Sequence, residues 1–143
     1  IGTLDGANVE IRDLVGEDNF FLFGMTVDYV QATSAAGYQP WTYYESNATL
    51  KRALDAISSG TYSNADPSTF AGVVDSLVRQ DRFMALADFE AYLAAQDRVA
   101  AAYTDQDHWS KMAILNIARA GFFSSDRSMR DYLSRIWHAA PDV

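Results

Sequence analysis

The spacing of apolar residues at the start of the chain predicts two short strands around one helix. Residues 1–4 end an apolar segment typical of a buried strand, and Asp5 begins a turn where its side chain can cap a helix. Apolar residues at turn spacing predict that helix over 7–15, which Gly16 ends in the left-handed conformation. The unbroken apolar run 20–23 predicts a second buried strand, since such runs belong to parallel sheets covered on both faces.

Beyond this opening, apolar residues recur every three or four positions and predict an array of helices. The predicted helix starts are Thr26, Pro40, Asn47, Asp66-Pro67, Asp88, Thr104, and Ser124 or Ser125. The predicted stops include Gly37, Gly60 and Gly121, and Pro141 follows the last helix. The residues of that last helix expected to face inward are Met129, Tyr132, Leu133, Ile136 and Trp137.

These elements predict an α/β fold in which 1–143 is a single partial domain. Residues 1–25 are expected to form its βαβ edge, and 26–143 its helical array. A parallel sheet of one and a half strands cannot bury its own faces, so we expect its partners upstream or on a second copy. Eight Tyr, eight Phe and three Trp also exceed what a small core needs, so self-association is expected.

Composition removes several classes of function. The net charge of −8 and the pI near 4.5 argue against binding to nucleic acid or to an anionic membrane surface. The absence of cysteine excludes a disulfide framework and a thiolate metal site, and it fits a cytoplasmic location. We find no signal peptide and no apolar run near the roughly twenty residues that span a bilayer.

The polar residues do not assemble into a recognisable catalytic or metal motif. His108 and His138 both lack a second ligand at metal-binding spacing. Asp105-Gln106-Asp107 resembles a calcium loop only weakly, because it lacks the glycine and the distal glutamate. Acidic pairs such as Glu17-Asp18 are better explained as surface residues than as a glycosidase pair. We therefore assign no catalytic, cofactor-binding or metal-binding residue.

Two local features allow sharper hypotheses. A strand end, a glycine turn and a helix N-terminus can present N–H groups to an anion. Because Gly6 is a single glycine and a phosphate-binding motif has several, a purely structural turn is favoured.

Asp126 and Arg127 follow the serine cap of the last helix. Arg127 either forms a surface ion pair or ties this helix to the α/β edge.

Several motifs along the chain resemble those of one enzyme family in order. GTLDGANVE, residues 2–10, resembles the segment of α-glucan (glycogen, starch or maltodextrin) phosphorylases that follows their cofactor-binding lysine. FLFGM at 21–25, DRF at 81–83, ADF at 87–89 and FFSSDRS at 122–128 resemble later segments of the same family. Ile136-Trp137 stands where those enzymes have a closing Ile-Trp pair.

The resemblance implies a C-terminal piece of such a phosphorylase, within a Rossmann-like lobe of the B-type glycosyltransferase architecture. Those enzymes split α-1,4-glucan with phosphate to give glucose 1-phosphate and depend on pyridoxal 5′-phosphate. Their cofactor lysine lies upstream in a Gly-Thr-Gly-Asn-Met-Lys stretch that is absent here, where the two lysines are Lys51 and Lys111. The resemblance thus implies a structural, inactive piece whose partner is the upstream part of the enzyme.

Two rival interpretations come from other functional classes. An autonomous helical interaction module would need no enzyme part and could be monomeric. A small hydrolase using an Asp/Glu pair would need a cleft with raised carboxylate pKa values, and no motif in the sequence points to one.

Overall fold

The computed structural model describes residues 1–139, most of which are helical. The helices are α1 (Gly6–Val15), α2 (Val27–Ala35), α3 (Pro40–Ser46), α4 (Ala48–Ser58), α5 (Ala71–Arg79), α6 (Phe89–Thr104), α7 (Gln106–Ala120) and α8 (Ser125–Asp131). Single 3₁₀ turns cover Glu17–Asn19 and Gly121–Phe123, and a π-helical turn over Tyr132–Trp137 continues α8. Pro141, expected after the last helix, lies outside the described residues.

The chain divides into two compact units. The first unit comprises Ile1–Leu4 with Leu22–Asp97, and the second comprises Asp5–Phe21 with the chain from Arg98 onward. In the first unit, α3, α4 and α5 contact one another. In the second, α1 contacts α7, and α8 contacts the 3₁₀ turn before it and the π-helical turn after it. The predicted boundary at residue 25 stays a prediction.

Neither predicted strand forms within residues 1–139. The two segments instead share one isolated parallel bridge between Gly2 and Leu22, and the Phe23 N–H donates to the Gly2 carbonyl at 3.2 Å. Glycines with positive φ bend the chain just after each segment, at Gly6 (43°) and Gly24 (88°). The backbone is therefore extended for too few residues to continue the ladder.

Several predicted helix starts are confirmed by side-chain caps. The Asn47 Oδ1 accepts from the N–H groups of Thr49 and Leu50, both at 3.0 Å. The Thr26 hydroxyl accepts from the Tyr29 N–H at 3.4 Å, and Ser124 caps α8. These caps are local, because a short polar side chain reaches only the first turn of its own helix.

Other predicted boundaries were wrong. The Asp66 carboxylate accepts from the Ser68 N–H and from the hydroxyls of Ser68 and Thr69, which stabilises a turn, so α5 begins only at Ala71. The cap of α7 is Asp105 instead of Thr104, and its Oδ1 accepts from the His108 N–H at 3.0 Å. Gly121 does follow the last residue of α7, as predicted, although its φ is −56° and the chain continues into a 3₁₀ turn.

Leucines from two regions form the core of the first unit. Leu50 and Leu54 lie on successive turns of α4 and pack with Leu86 from the segment before α6. The half-buried residues around them are Tyr43, Tyr44, Ile57, Leu77, Val78 and Phe89. The four-residue spacing of Leu50 and Leu54 places both side chains on one face of α4.

The expected inward stripe of the last helix was wrong. Met129, Tyr132, Ile136 and Trp137 are exposed, and Leu133 is half-buried. Helix α8 has seven residues, after which the π-helical turn changes the number of residues per turn. A stripe spaced at 3.6 residues therefore does not stay on one face.

Candidate functional site

The turn at the start of α1 is the first candidate that the sequence offered. Asp5 occupies the N-cap position with extended backbone, but its side chain makes no cap bond to a backbone N–H. Its Oδ1 accepts instead from the Asn8 Nδ2 at 3.0 Å, and the Asn8 N–H donates to the Asp5 carbonyl at 3.0 Å. The Asp5 carboxylate already supplies the negative charge that a helix N-terminus favours, so a bound anion would meet a like charge here.

Three of the resembling motifs meet in the first unit, in a contact set that we call the Gly24 junction (Thr3, Gly24, Met25 and Asp88). The Met25 N–H donates to the Asp88 Oδ1 at 2.8 Å. A Cβ at Gly24 would lie 2.9 Å from both the Thr3 Cγ2 and the Asp88 Oδ2. Asp88, expected only as a helix cap, therefore holds the 21–25 segment against the start of α6.

Burial raises the pKa of Asp88 above its usual value, and the nearby Asp81 charge adds to this effect. The hydrogen bond from the Met25 N–H acts in the opposite direction, because it stabilises the carboxylate. A raised carboxylate pKa is one sign of an active site, but no second acid is paired with Asp88 by a hydrogen bond among residues 1–139. The arrangement therefore fits a structural junction.

Asp81 of the DRF motif is the one buried charged residue within 1–139, at 4% exposure. Its carboxylate accepts from the Tyr38 hydroxyl at 2.6 Å and from the N–H groups of Ala85 and Leu86 at 2.9 and 2.8 Å. These three donors satisfy the charge where water is excluded. We call this set the Asp81 cluster (Tyr38, Asp81, Ala85 and Leu86).

The Asp81 cluster holds a positive-φ turn beside the leucine core. Asp81 itself has φ 35°, and Met84 has φ 54°. Burial, with the hydrogen bond to Asp81, raises the pKa of Tyr38 well above its ordinary range, so the phenol stays protonated as a donor. Sequence reasoning missed this cluster, since Tyr38 and Asp81 are 43 residues apart and only the DRF resemblance marked one of them.

Arg127 bonds to its own helix and to the turn before it, while the hypothesis that it ties this helix to the 1–25 segment stays a prediction. Its Nη1 lies 2.6 Å from the Asp131 Oδ2, its Nε donates to the Phe122 carbonyl, and its guanidinium lies over the Phe122 ring. These bonds join α8 to the turn before it. The local ion-pair alternative is confirmed.

Neither lysine suits a pyridoxal phosphate site. A Schiff base requires a neutral amine, but the Lys51 Nζ lies 2.7 Å from the Glu45 carboxylate, and that bond raises the pKa of Lys51. Lys111 is exposed on α7. The residues present therefore do not fit covalent binding of this cofactor.

The remaining polar candidates are two histidines and two aspartates. His108 and His138 are exposed, and no group of three or more His, Asp or Glu side chains within residues 1–139 is arranged to hold a metal ion. Asp105 and Asp107 stand at the exposed start of α7, where Asp105 acts as a cap. None of the helices in this same part of the chain is long and apolar enough to cross a membrane.

Comparison with known proteins gives one consistent result. A profile of the family described as carbohydrate phosphorylase matches residues 1–139. The chain is 54% identical over its whole length to a glycogen phosphorylase of Synechocystis sp.. It is 43% identical over 141 residues, 99% of its length, to the muscle form from Bos taurus and to a glycogen phosphorylase of Haemophilus influenzae. The chain spans 17% of the length of each of these relatives.

Proposed function

Because the chain belongs to the carbohydrate phosphorylase family, we propose that it is the C-terminal part of an α-1,4-glucan phosphorylase. The whole enzyme would convert glycogen or maltodextrin and phosphate into glucose 1-phosphate with pyridoxal 5′-phosphate. The observation that carries this proposal is the family match over residues 1–139 in a chain that spans 17% of its relatives. The order of the motifs and the Ile136-Trp137 pair support the C-terminal position.

Within that enzyme the role of this chain is structural. Two of its polar contact sets, the Gly24 junction and the Asp81 cluster, hold backbone in place. Its lysines do not fit the cofactor, so the isolated chain is inactive. The Gly2–Leu22 bridge would be the end of a parallel sheet that continues in a Rossmann-like lobe upstream.

The proposed setting of the enzyme follows from the same features. Its substrates are α-glucan and phosphate, and its location is cytoplasmic. The upstream part of the polypeptide is the partner of this chain. The charge of −8 disfavours nucleic acid and anionic membranes. In isolation, the exposed apolar side chains favour self-association, which that charge opposes.

Phosphorolysis by three proteins tests this proposal. They are the complete native polypeptide, the 143-residue chain, and the polypeptide lacking these residues. We expect release of glucose 1-phosphate from maltodextrin by the complete polypeptide alone, and recovery when the two parts are produced together. Activity of the 143-residue chain, or a Schiff-base absorbance band lost in Lys51→Ala or Lys111→Ala, would contradict the structural role. A native polypeptide of 143 residues would favour the autonomous interaction module instead.

A further inference from the structure

The second unit contains an open apolar groove between α1 and α7, with a volume of about 300 Å³. Its apolar lining residues are Ile11, Leu14, Val15, Ile117, Ala120 and Phe123. The side chain of Ile117 is 75% exposed and that of Ile114, one turn earlier, is 64% exposed. The groove therefore continues onto an apolar stripe along α7.

The polar groups at the groove are already bonded within the second unit. The Asn116 Nδ2 donates to the carbonyls of Asn19 and Met112 at 3.2 and 2.9 Å. The Arg119 Nη1 donates to the Leu14 carbonyl. A sugar or nucleotide needs convergent free polar groups, whereas this lining offers mainly apolar contact. The groove therefore suits the apolar side chains of a protein segment.

We propose that an apolar segment from the upstream part of the same polypeptide fills this groove in the complete enzyme. This inference rests on the proposed function. The relatives extend over far more chain, since 100% − 17% leaves 83% of their length outside the matched region. A stripe with two exposed isoleucines costs solvation free energy unless part of that additional chain covers it.

A second copy of this chain is the less favourable occupant. Each copy carries a net charge of −8, which opposes close approach of two copies. Pairing of this face about a two-fold axis also brings the Arg119 side chains of both copies toward each other.

Hydroxyl-radical footprinting tests the proposal without changing the sequence. The complete native polypeptide and the 143-residue chain are labelled at equal radical dose, calibrated with added free phenylalanine, and read by mass spectrometry. We expect the labelling rate of Ile117 to fall about tenfold in the complete polypeptide, as exposure drops to that of an interface core. Equal rates in both proteins would overturn the proposal.

A dilution series and two variants identify the occupant. Protection that disappears when the complete polypeptide is diluted to monomers would assign the groove to a second copy and overturn the proposal. In the complete polypeptide, Ile117→Asp is expected to raise labelling of Phe123 toward its rate in the 143-residue chain. Ala118→Asp places the same charge on the same helix outside the groove lining and should leave that rate unchanged.

The two proposals fail in different ways. A native polypeptide of only 143 residues, seen by immunoblot, removes both the phosphorylase assignment and its upstream segment. A long, active polypeptide in which Ile117 is labelled freely leaves the phosphorylase assignment standing and overturns the groove proposal alone.

Discussion

Helices α3–α5 of the first unit and helices α7–α8 of the second unit all carry apolar residues, but their surroundings differ. Leu50 and Leu54 on α4 are each 4% exposed because neighbouring helices cover them. On α7, Met112 is buried, whereas Ile114 and Ile117 face solvent. The first set completes a core within the chain, whereas α7 of the second set leaves two isoleucines exposed.

This difference shows that an apolar stripe predicts burial without identifying what provides it. Periodicity states which residues share a helix face. The covering element comes from the tertiary fold or, as we propose for α7, from chain beyond these 143 residues. Stability measurements on the 143-residue chain can separate the two cases.

The largest expected effect is Leu54→Ala in the leucine core. Loss of its buried side chain is expected to lower the free energy of unfolding by about 2–5 kcal/mol, because a cavity remains. The matched variant is Ile117→Ala, which should change it by less than about 0.5 kcal/mol, because that side chain is already exposed. Urea unfolding provides both values, and equal losses would contradict the difference between the two sets of helices.

The Asp81 cluster should be the next most sensitive position. Asp81→Asn places an NH₂ donor where the carboxylate accepts three hydrogen bonds, at an expected cost of about 1–3 kcal/mol. Asp75→Asn, at an exposed ion pair with Arg79 on α5, should cost less than about 1 kcal/mol. The same urea titration compares them, and a larger loss for Asp75→Asn would argue against the role of the buried cluster.

Two glycines of the first unit should respond in opposite directions to alanine. Gly24→Ala is expected to cost roughly 1–2 kcal/mol or more, because φ is 88° and the new Cβ would meet Thr3 and Asp88 at 2.9 Å. Gly72 lies in α5 with open space around it, so Gly72→Ala should gain about 0.5–1 kcal/mol. Thermal midpoints of the two variants should shift to opposite sides of the wild-type value. Shifts in the same direction would show that the Gly24 junction is not packed as described.

The smallest expected effect is a pH dependence from Asp88. Its folded pKa is raised, so the folded state binds the proton more tightly than the unfolded chain does. The contribution of Asp88 to stability therefore increases as the pH falls through its folded pKa toward about 3.9, the usual aspartate value. Asp88→Asn keeps an oxygen for the Met25 N–H and removes the titration. The wild type should gain stability relative to this variant over that window, and a constant difference would contradict the raised pKa.

The sequence predicted features that depend on a few neighbouring residues. Asn47 was predicted to be a cap, as was either Ser124 or Ser125, because a cap bond spans two or three residues of one segment. The prediction was wrong at Asp66-Pro67. The Asp66 carboxylate, which was expected to cap a helix there, accepts hydrogen bonds from Ser68 and Thr69 in a turn instead. The Asp81 cluster could not be predicted from local sequence, because its Tyr38 donor lies 43 residues away along the chain.

The family assignment and most helices were thus determined by the sequence, because motifs and amphipathic spacing are properties of the chain itself. The tertiary structure alone decided that 1–4 and 20–23 meet through a single bridge, that Asp88 holds Met25, and that Asp81 is buried. It also decided which stripes are covered, since Leu54 is buried and Ile117 is exposed. The physical reason is that burial depends on contacts between distant segments, which residue spacing within one segment does not specify.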